Sequence, residues 1–157
     1  VDSGYTAPGL GDPEGHFFTR LYPYQALKSM LKACDFVVVA APLTQQTRGM
    51  FSAAELEAMK PGACLVVVGR GGVVNELALL EALQDRRLAA AALDVFEEEP
   101  LAPTSPLWKQ QNLLVTPHIG GLSSLYDRRA MELFAANLGR YLQGGILLNL
   151  YEPHRGY

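Results

Sequence analysis

The sequence predicts an α/β fold in which a parallel sheet is flanked by helices, and three observations lead there. Short runs that are apolar throughout recur along the chain, as expected of strands covered on both faces. These runs alternate with segments of helical period long enough to serve as crossovers. The residues able to carry chemistry come directly after the apolar runs, and in open parallel sheets ligands bind just beyond the carboxyl ends of the strands.

Residues 2–16 hold glycines at 4, 9, 11 and 15 and prolines at 8 and 13 with no hydrophobic period, and read as a loop. A helix is expected over 23–32, with Leu27, Met30 and Leu31 at helical spacing and a proline suited to the first turn. Residues 36–40 form the first strand. Ser52-Ala-Ala-Glu55 has the capping-box arrangement and opens a short helix that Pro61-Gly62 ends. The second strand spans 63–68. Asn75 is the N-cap of a helix running to about Gln84, in which Leu77, Leu80, Glu81 and Leu83 mix a core face with a wet one. Residues 89–93 and 112–116 are the third and fourth strands. The link between them contains prolines at 100, 103 and 106 and a turn near Leu107-Trp108. Over 124–142, Leu125, Met131, Phe134, Leu138 and Leu142 give a long amphipathic helix closed by Gly144-Gly145, and the tail from Ile146 is irregular.

Composition narrows the function classes. The chain has 157 residues, 49% hydrophobic and 18% charged, with 13 basic against 16 acidic side chains, which fits one ordinary soluble domain. Its longest apolar runs, 36–43 and 88–93, are strand-sized, so neither a membrane span nor a secretory signal is expected. The slightly acidic balance argues against nucleic acid, which requires clustered positive charge; Arg86 and Arg87 are only a pair. Cys34 and Cys64 both lie beside strand-like runs, which suits buried thiols in a reducing, cytoplasmic compartment. His16, His118 and His154 are scattered and the cysteines lack ligand spacing, so no metal site is expected. Nucleophilic catalysis lacks support as well, because no G-x-S-x-G elbow is present.

The residues just past each strand are more informative. After the first comes Pro42-Leu-Thr44, after the second Gly69-Arg-Gly-Gly72, after the third Asp94-Val-Phe-Glu-Glu-Glu-Pro100, and after the fourth Thr116-Pro-His-Ile-Gly-Gly121. Arginine, carboxylates and histidine therefore share one edge. Arg70 between glycines suits bidentate capture of a carboxylate; the plain alternative is a surface arginine or a phosphate clamp. His118 is the one histidine at a strand end and suits proton exchange near neutral pH, although taken alone it fits a structural role. A carboxylate beside it, best supplied by Glu99, would favour the charged imidazolium; the alternative is a solvated acidic loop. Asp94 either accepts hydrogen bonds from a ligand amide or caps its own turn.

The segments Gly69-Arg-Gly-Gly-Val-Val-Asn-Glu-Leu-Ala-Leu79, Leu93-Asp-Val-Phe-Glu-Glu-Glu-Pro100 and Thr116-Pro-His-Ile-Gly-Gly121 resemble three successive signatures of the D-isomer-specific 2-hydroxyacid dehydrogenases. Pro42-Leu-Thr-Gln-Gln-Thr-Arg-Gly49 and Asn137-Leu-Gly-Arg-Tyr-Leu-Gln-Gly144 match its flanking segments, so the likeness covers about residues 20–157. It implies a Rossmann-like sheet and a nicotinamide-dependent interconversion of a 2-oxo acid and a D-2-hydroxy acid, of the hydroxypyruvate or glyoxylate kind. Arg70 would hold the substrate carboxylate, His118 would donate the proton to the carbonyl oxygen, and Glu99 would orient the ring and keep it charged. Asp94 would bind the nicotinamide carboxamide, helped by Val68, Gly69 and the stretch from His118 through Gly120 and Gly121, with Pro42 and Thr44 along the adenosine side. Asp2 would be the ribose-binding carboxylate, a hint of NAD over NADP.

The sequence also departs from that family. No G-x-G-x-x-G lies between a strand and a helix; Gly9, Gly11 and Gly15 have another spacing, with Pro13 between them. The expectation is a partial NAD-binding domain over 1–157, incomplete on its N-terminal side and lacking a substrate domain. Within it, 1–19 is the loop following the second strand of the family's fold and 20–122 holds the strand–helix units. The C-terminal helix is 123–143 and the tail 144–157. Such a chain alone is expected to bind cofactor poorly and turn over little, its apolar first-strand edge left open; intact relatives are expected to be homodimers. A non-catalytic nucleotide-sensing module is the competing reading, opposed by the retention of Arg70, Glu99 and His118. A methyltransferase would need a cofactor loop and an acidic pair elsewhere, of which the sequence shows none.

Overall fold

The computed structural model describes residues 11, 12 and 14–153. The chain divides into two compact units, Tyr22–Gly120 and a second that joins Gly121 onward with the segment ending at Leu21.

The first unit contains the sheet. A 3-10 turn, Tyr24–Ala26, leads into α1, Leu27–Leu31, followed by β1, Phe36–Val39. Next come α2, Ala53–Ala58, β2, Cys64–Val67, α3, Glu76–Gln84, and β3, Ala90–Leu93. A second 3-10 turn, Pro106–Lys109, precedes β4, Leu113–Val115. All strands pair in parallel in the order β1-β2-β3-β4, with Phe36 opposite Cys64, Val67 opposite Leu93, and Leu93 opposite Val115. This is the Rossmann-like α/β arrangement expected, and every predicted strand is present, trimmed by one or two residues.

The local signals act as their chemistry requires. Ser52 and Glu55 complete a capping box, the Glu55 carboxylate accepting the Ser52 backbone N–H at 3.1 Å. The helix they open ends at Ala58, before Pro61, and there the Arg87 guanidinium donates to the carbonyls of Glu57 and Met59. Asn75 Oδ1 accepts the Ala78 N–H at 2.8 Å and caps α3. The helix expected over 23–32 is shorter and starts as a 3-10 turn, with Pro23 as its extended N-cap instead of its first helical residue.

One expectation is corrected. Full burial on both faces is not found within this unit: Val37, Val39, Leu65, Val67, Ala91 and Leu93 are buried, whereas the alternate residues of β2 and β3 (Cys64, Val66, Ala90 and Ala92) are half-buried and, in β1, Phe36 is 73% and Val38 63% exposed. The buried set joins Leu31, Leu56, Leu79 and Leu83 of the three helices in a single core, so α1, α2 and α3 all serve the same side of the sheet. The two cysteines are free and half-buried where full burial was expected.

In the second unit α4, Tyr126–Leu142, ends as expected at its glycines. Gly144 lies at φ +68°, its N–H bonding to Tyr141 O at 3.0 Å while that of Gly145 bonds to Arg140 O at 2.8 Å, the pair of bonds that defines a Schellman cap. Asn137 fastens the tail by a two-way amide clamp: Oδ1 accepts the Leu148 N–H at 2.8 Å and Nδ2 donates to its carbonyl at 3.1 Å. The helix forms, but Met131, Phe134, Leu138 and Leu142 are all exposed.

Candidate active site

All the expected catalytic residues belong to the first unit, on the turns leaving β2, β3 and β4. The turn after β3 begins at Asp94, whose N–H bonds to Val67 O at 3.0 Å and continues the ladder one residue past the strand. The Asp94 side chain is buried, and the turn after β4 surrounds it with donors. Oδ1 accepts the Thr116 hydroxyl at 2.6 Å and the Ile119 N–H at 2.9 Å, and Oδ2 accepts the Gly120 N–H at 2.7 Å. These bonds, the Thr116 hydroxyl foremost, hold the Asp94 carboxyl below the usual carboxylate range. Gly120 is required by this closeness, since a Cβ there would stand 2.8 Å from Asp94 Oδ2.

His118 lies between the anchored residues at φ +53°, in the left-handed region that non-glycine residues seldom occupy. Its backbone is thus fastened on either side by the Asp94 carboxylate. The ring meets Glu99, with Nδ1 at 2.7 Å from Oε2, while Glu99 Oε1 accepts the Phe96 N–H at 2.9 Å. The His118 contact, then the Phe96 N–H, lower the Glu99 carboxyl below its ordinary value, with the Arg70 charge adding a smaller share. An ionised Glu99 can only accept, so Nδ1 carries the proton in this contact and Nε2 is left for a ligand.

Arg70 is exposed, and its Nη1 donates to Gly69 O at 2.8 Å. The glycine after it brings the β2 turn against the β3 turn: a Cβ on Gly71 would fall 1.7 Å from Phe96 O. Backbone contact of this kind tolerates no side chain, and it sets the arginine beside the segment that carries Glu99.

Of the other expected site residues, Pro42 and Thr44 lie in the turn after β1, where Thr47 Oγ1 donates to Pro42 O at 2.6 Å and also accepts the Thr44 N–H at 2.8 Å. Val68 is 43% exposed and comes directly after β2. Gly121 opens the second unit, and Asp2 lies outside the described residues. Sequence reasoning assigned no role to Thr116 or Glu76, although one donates to Asp94 and the other accepts the Glu97 N–H at 2.5 Å. Thr116 stands inside a family motif, but nothing in the order of residues points its hydroxyl at a carboxylate 22 positions earlier. Among the described residues no helix is long and apolar enough to cross a membrane.

The chain resembles known proteins along most of its length. Residues 11–120 match the family model described as D-isomer specific 2-hydroxyacid dehydrogenase, NAD binding domain. A glyoxylate/hydroxypyruvate reductase B of Salmonella newport is 42% identical across 96% of this chain and 48% of its own length; the chain therefore spans about half the length of the curated relatives it matches. A D-isomer specific 2-hydroxyacid dehydrogenase of Xanthobacter autotrophicus, solved with NADPH and MES, superposes with a TM-score of 0.79 at 43% identity, covering 85% of this chain and 54% of that one. An NADPH-dependent glyoxylate/hydroxypyruvate reductase of Sinorhizobium meliloti, solved with NADP and sulfate, gives 0.79 at 34% identity, over 87% of this chain and 44% of the other. Matching the family model along well over half of its residues, and sharing the fold of its solved relatives, this chain belongs to the D-isomer specific 2-hydroxyacid dehydrogenase family through its NAD binding domain.

Proposed function

We propose that the protein carrying this chain interconverts a 2-oxo acid and a D-2-hydroxy acid of the glyoxylate or hydroxypyruvate kind, using NAD or NADP. The observation that carries the reading is the 2.7 Å contact between Glu99 and His118, on turns adjoining that of Arg70. Glu99 holds the ring through Nδ1, and His118 gives a proton from Nε2 to the substrate's carbonyl oxygen in reduction, taking it back in oxidation. Arg70 pairs with the substrate carboxylate through its planar fork, which orients the carbonyl toward the imidazole. When bound, the nicotinamide supplies or accepts the hydride.

The residues present fit that cofactor. Three donors occupy Asp94, and a carboxylate has room for about four, so one acceptor position remains for a carboxamide N–H. Pro42, Thr44, Val68, Gly69, Arg70, His118 and Gly120 line the neighbouring strand ends, with Gly121 and Asp2 completing the proposed set. We assign a cytoplasmic setting, supported by free thiols, which suit a reducing compartment, and a homodimer as the assembly.

Steady-state kinetics on the full-length protein test the reading. His118→Ala should lower turnover by about 10²-fold or more, the range of a lost general acid. Arg70→Lys should raise the KM for the 2-oxo acid about tenfold, as for loss of one charge-assisted hydrogen bond. Kinetics unchanged in both variants would remove the assignment.

A further inference from the structure

We propose that Glu76 is a positioning residue for the Glu99–His118 pair, gripping the turn that presents Glu99; the inference rests on the catalytic reading above. The turn leaves β3 with Asp94, Val95 and Phe96 buried, then runs into solvent as Glu97, Glu98 and Glu99. An acidic stretch of that kind has no hydrophobic reason to hold one conformation, yet Glu99 must hold one to meet His118.

Two contacts supply the order, and both come from the segment that begins at Arg70. Gly71 lies directly against the Phe96 carbonyl, in a gap too small for any side chain. The Glu76 carboxylate then accepts the Glu97 N–H at 2.5 Å through Oε1. One residue earlier the Phe96 N–H goes to Glu99 itself. The N–H groups of successive residues are thus divided between Glu76, which is anchored in α3, and Glu99, which faces the histidine. Arg70, Gly71 and Glu76 line one recess with Leu93 and Val95, so a single stretch of chain sets the arginine and fastens the acid.

Helix capping does not account for Glu76. Asn75 already caps α3 through Ala78. Burial pushes the Glu76 carboxyl up, with the Glu97 N–H pulling against it and the Glu97 charge adding to the rise. A half-buried acid is a costly choice where an apolar residue would pack freely, and the Glu97 bond is what that choice obtains.

The test uses the full-length protein. Glu76→Met keeps the volume but removes the acceptor; it should lower kcat about tenfold or more while both KM values stay within about threefold, the pattern of a misplaced catalytic group. Glu76→Gln, whose amide oxygen still accepts the Glu97 N–H, should keep at least about half of kcat. In a Glu99→Gln background Glu76→Met should cause no further loss, because residues that act through one another are not additive. The proton resonance of His118 Nδ1–H should persist in Glu76→Gln and broaden or vanish in Glu76→Met. Parental kcat in Glu76→Met, equal losses in the two single variants, or losses that multiply in the double variant would overturn the proposal. Glu76→Ala makes the same comparison if the methionine variant does not fold. Failure of the catalytic reading is told apart by His118→Ala and Arg70→Lys, which involve no change at Glu76.

Discussion

Asp94 does more at this site than any other single side chain, because three donors of the 116–120 turn converge on it. The sequence left two roles open, capping its own turn or receiving a ligand amide, and the structure adds a third, the fastening of His118 in a left-handed backbone conformation. Asp94→Ala would leave a hydroxyl and two N–H groups without their acceptor. It should destabilise the fold by about 3 kcal/mol or more, since each buried donor left unmet costs roughly 1–3 kcal/mol. Asp94→Asn retains one carbonyl oxygen and should cost clearly less. Urea unfolding of the two variants measures the difference, and equal stabilities would show that the turn does not depend on this carboxylate.

At the level of elements, the sheet provides a direct comparison between its two faces. Val37 is 5% and Val38 63% exposed, on the same strand and one residue apart. Val37→Ala should cost about 2 kcal/mol through lost burial and the cavity it leaves, and Val38→Ala under about 0.5 kcal/mol. Similar midpoints in chemical denaturation would mean that both faces are covered. The α2 cap is a second local element with a defined worth. Ser52→Ala removes the side-chain half of the capping box, leaving the backbone N–H at 52 to Glu55, and should lower stability by about 1 kcal/mol; thermal melts check it, and an unchanged melting temperature would place the start of α2 under tertiary control.

For the whole molecule, the shifted carboxyls set the response to pH. Asp94 and Glu99 are lowered in the folded state, Asp94 mainly by Thr116 and Glu99 mainly by His118. Their contribution is therefore present above the ordinary carboxylate value of about 4 and is lost as pH falls through the lowered folded values. Glu76 is raised by burial, so its contribution is present below its ordinary value and is lost as pH rises through the raised one. Stability should fall on acidification below about pH 4, and Asp94→Asn should flatten that acid limb while leaving the neutral region sloped as before. Circular dichroism at fixed urea across pH 2–7 measures it; an acid limb unchanged in the variant would dissociate Asp94 from acid stability.

The order of residues determined the α/β class, the parallel strands and the edge on which chemistry gathers, because hydrophobic period, capping pairs and turn glycines act over a few positions and need no partner from elsewhere. It also singled out Arg70, Glu99 and His118, since each lies on a turn that leaves a strand. Which face of the sheet is covered was decided only in three dimensions, where α1, α2 and α3 all packed on one side and left Phe36 and Val38 exposed. The roles of Thr116, Glu76 and Gly71 likewise emerged only from folding, through contacts across 20 or more residues. A hydroxyl, a carboxylate and a missing Cβ leave no periodic trace in a sequence, and their effect depends on which distant turn the parallel register brings beside them.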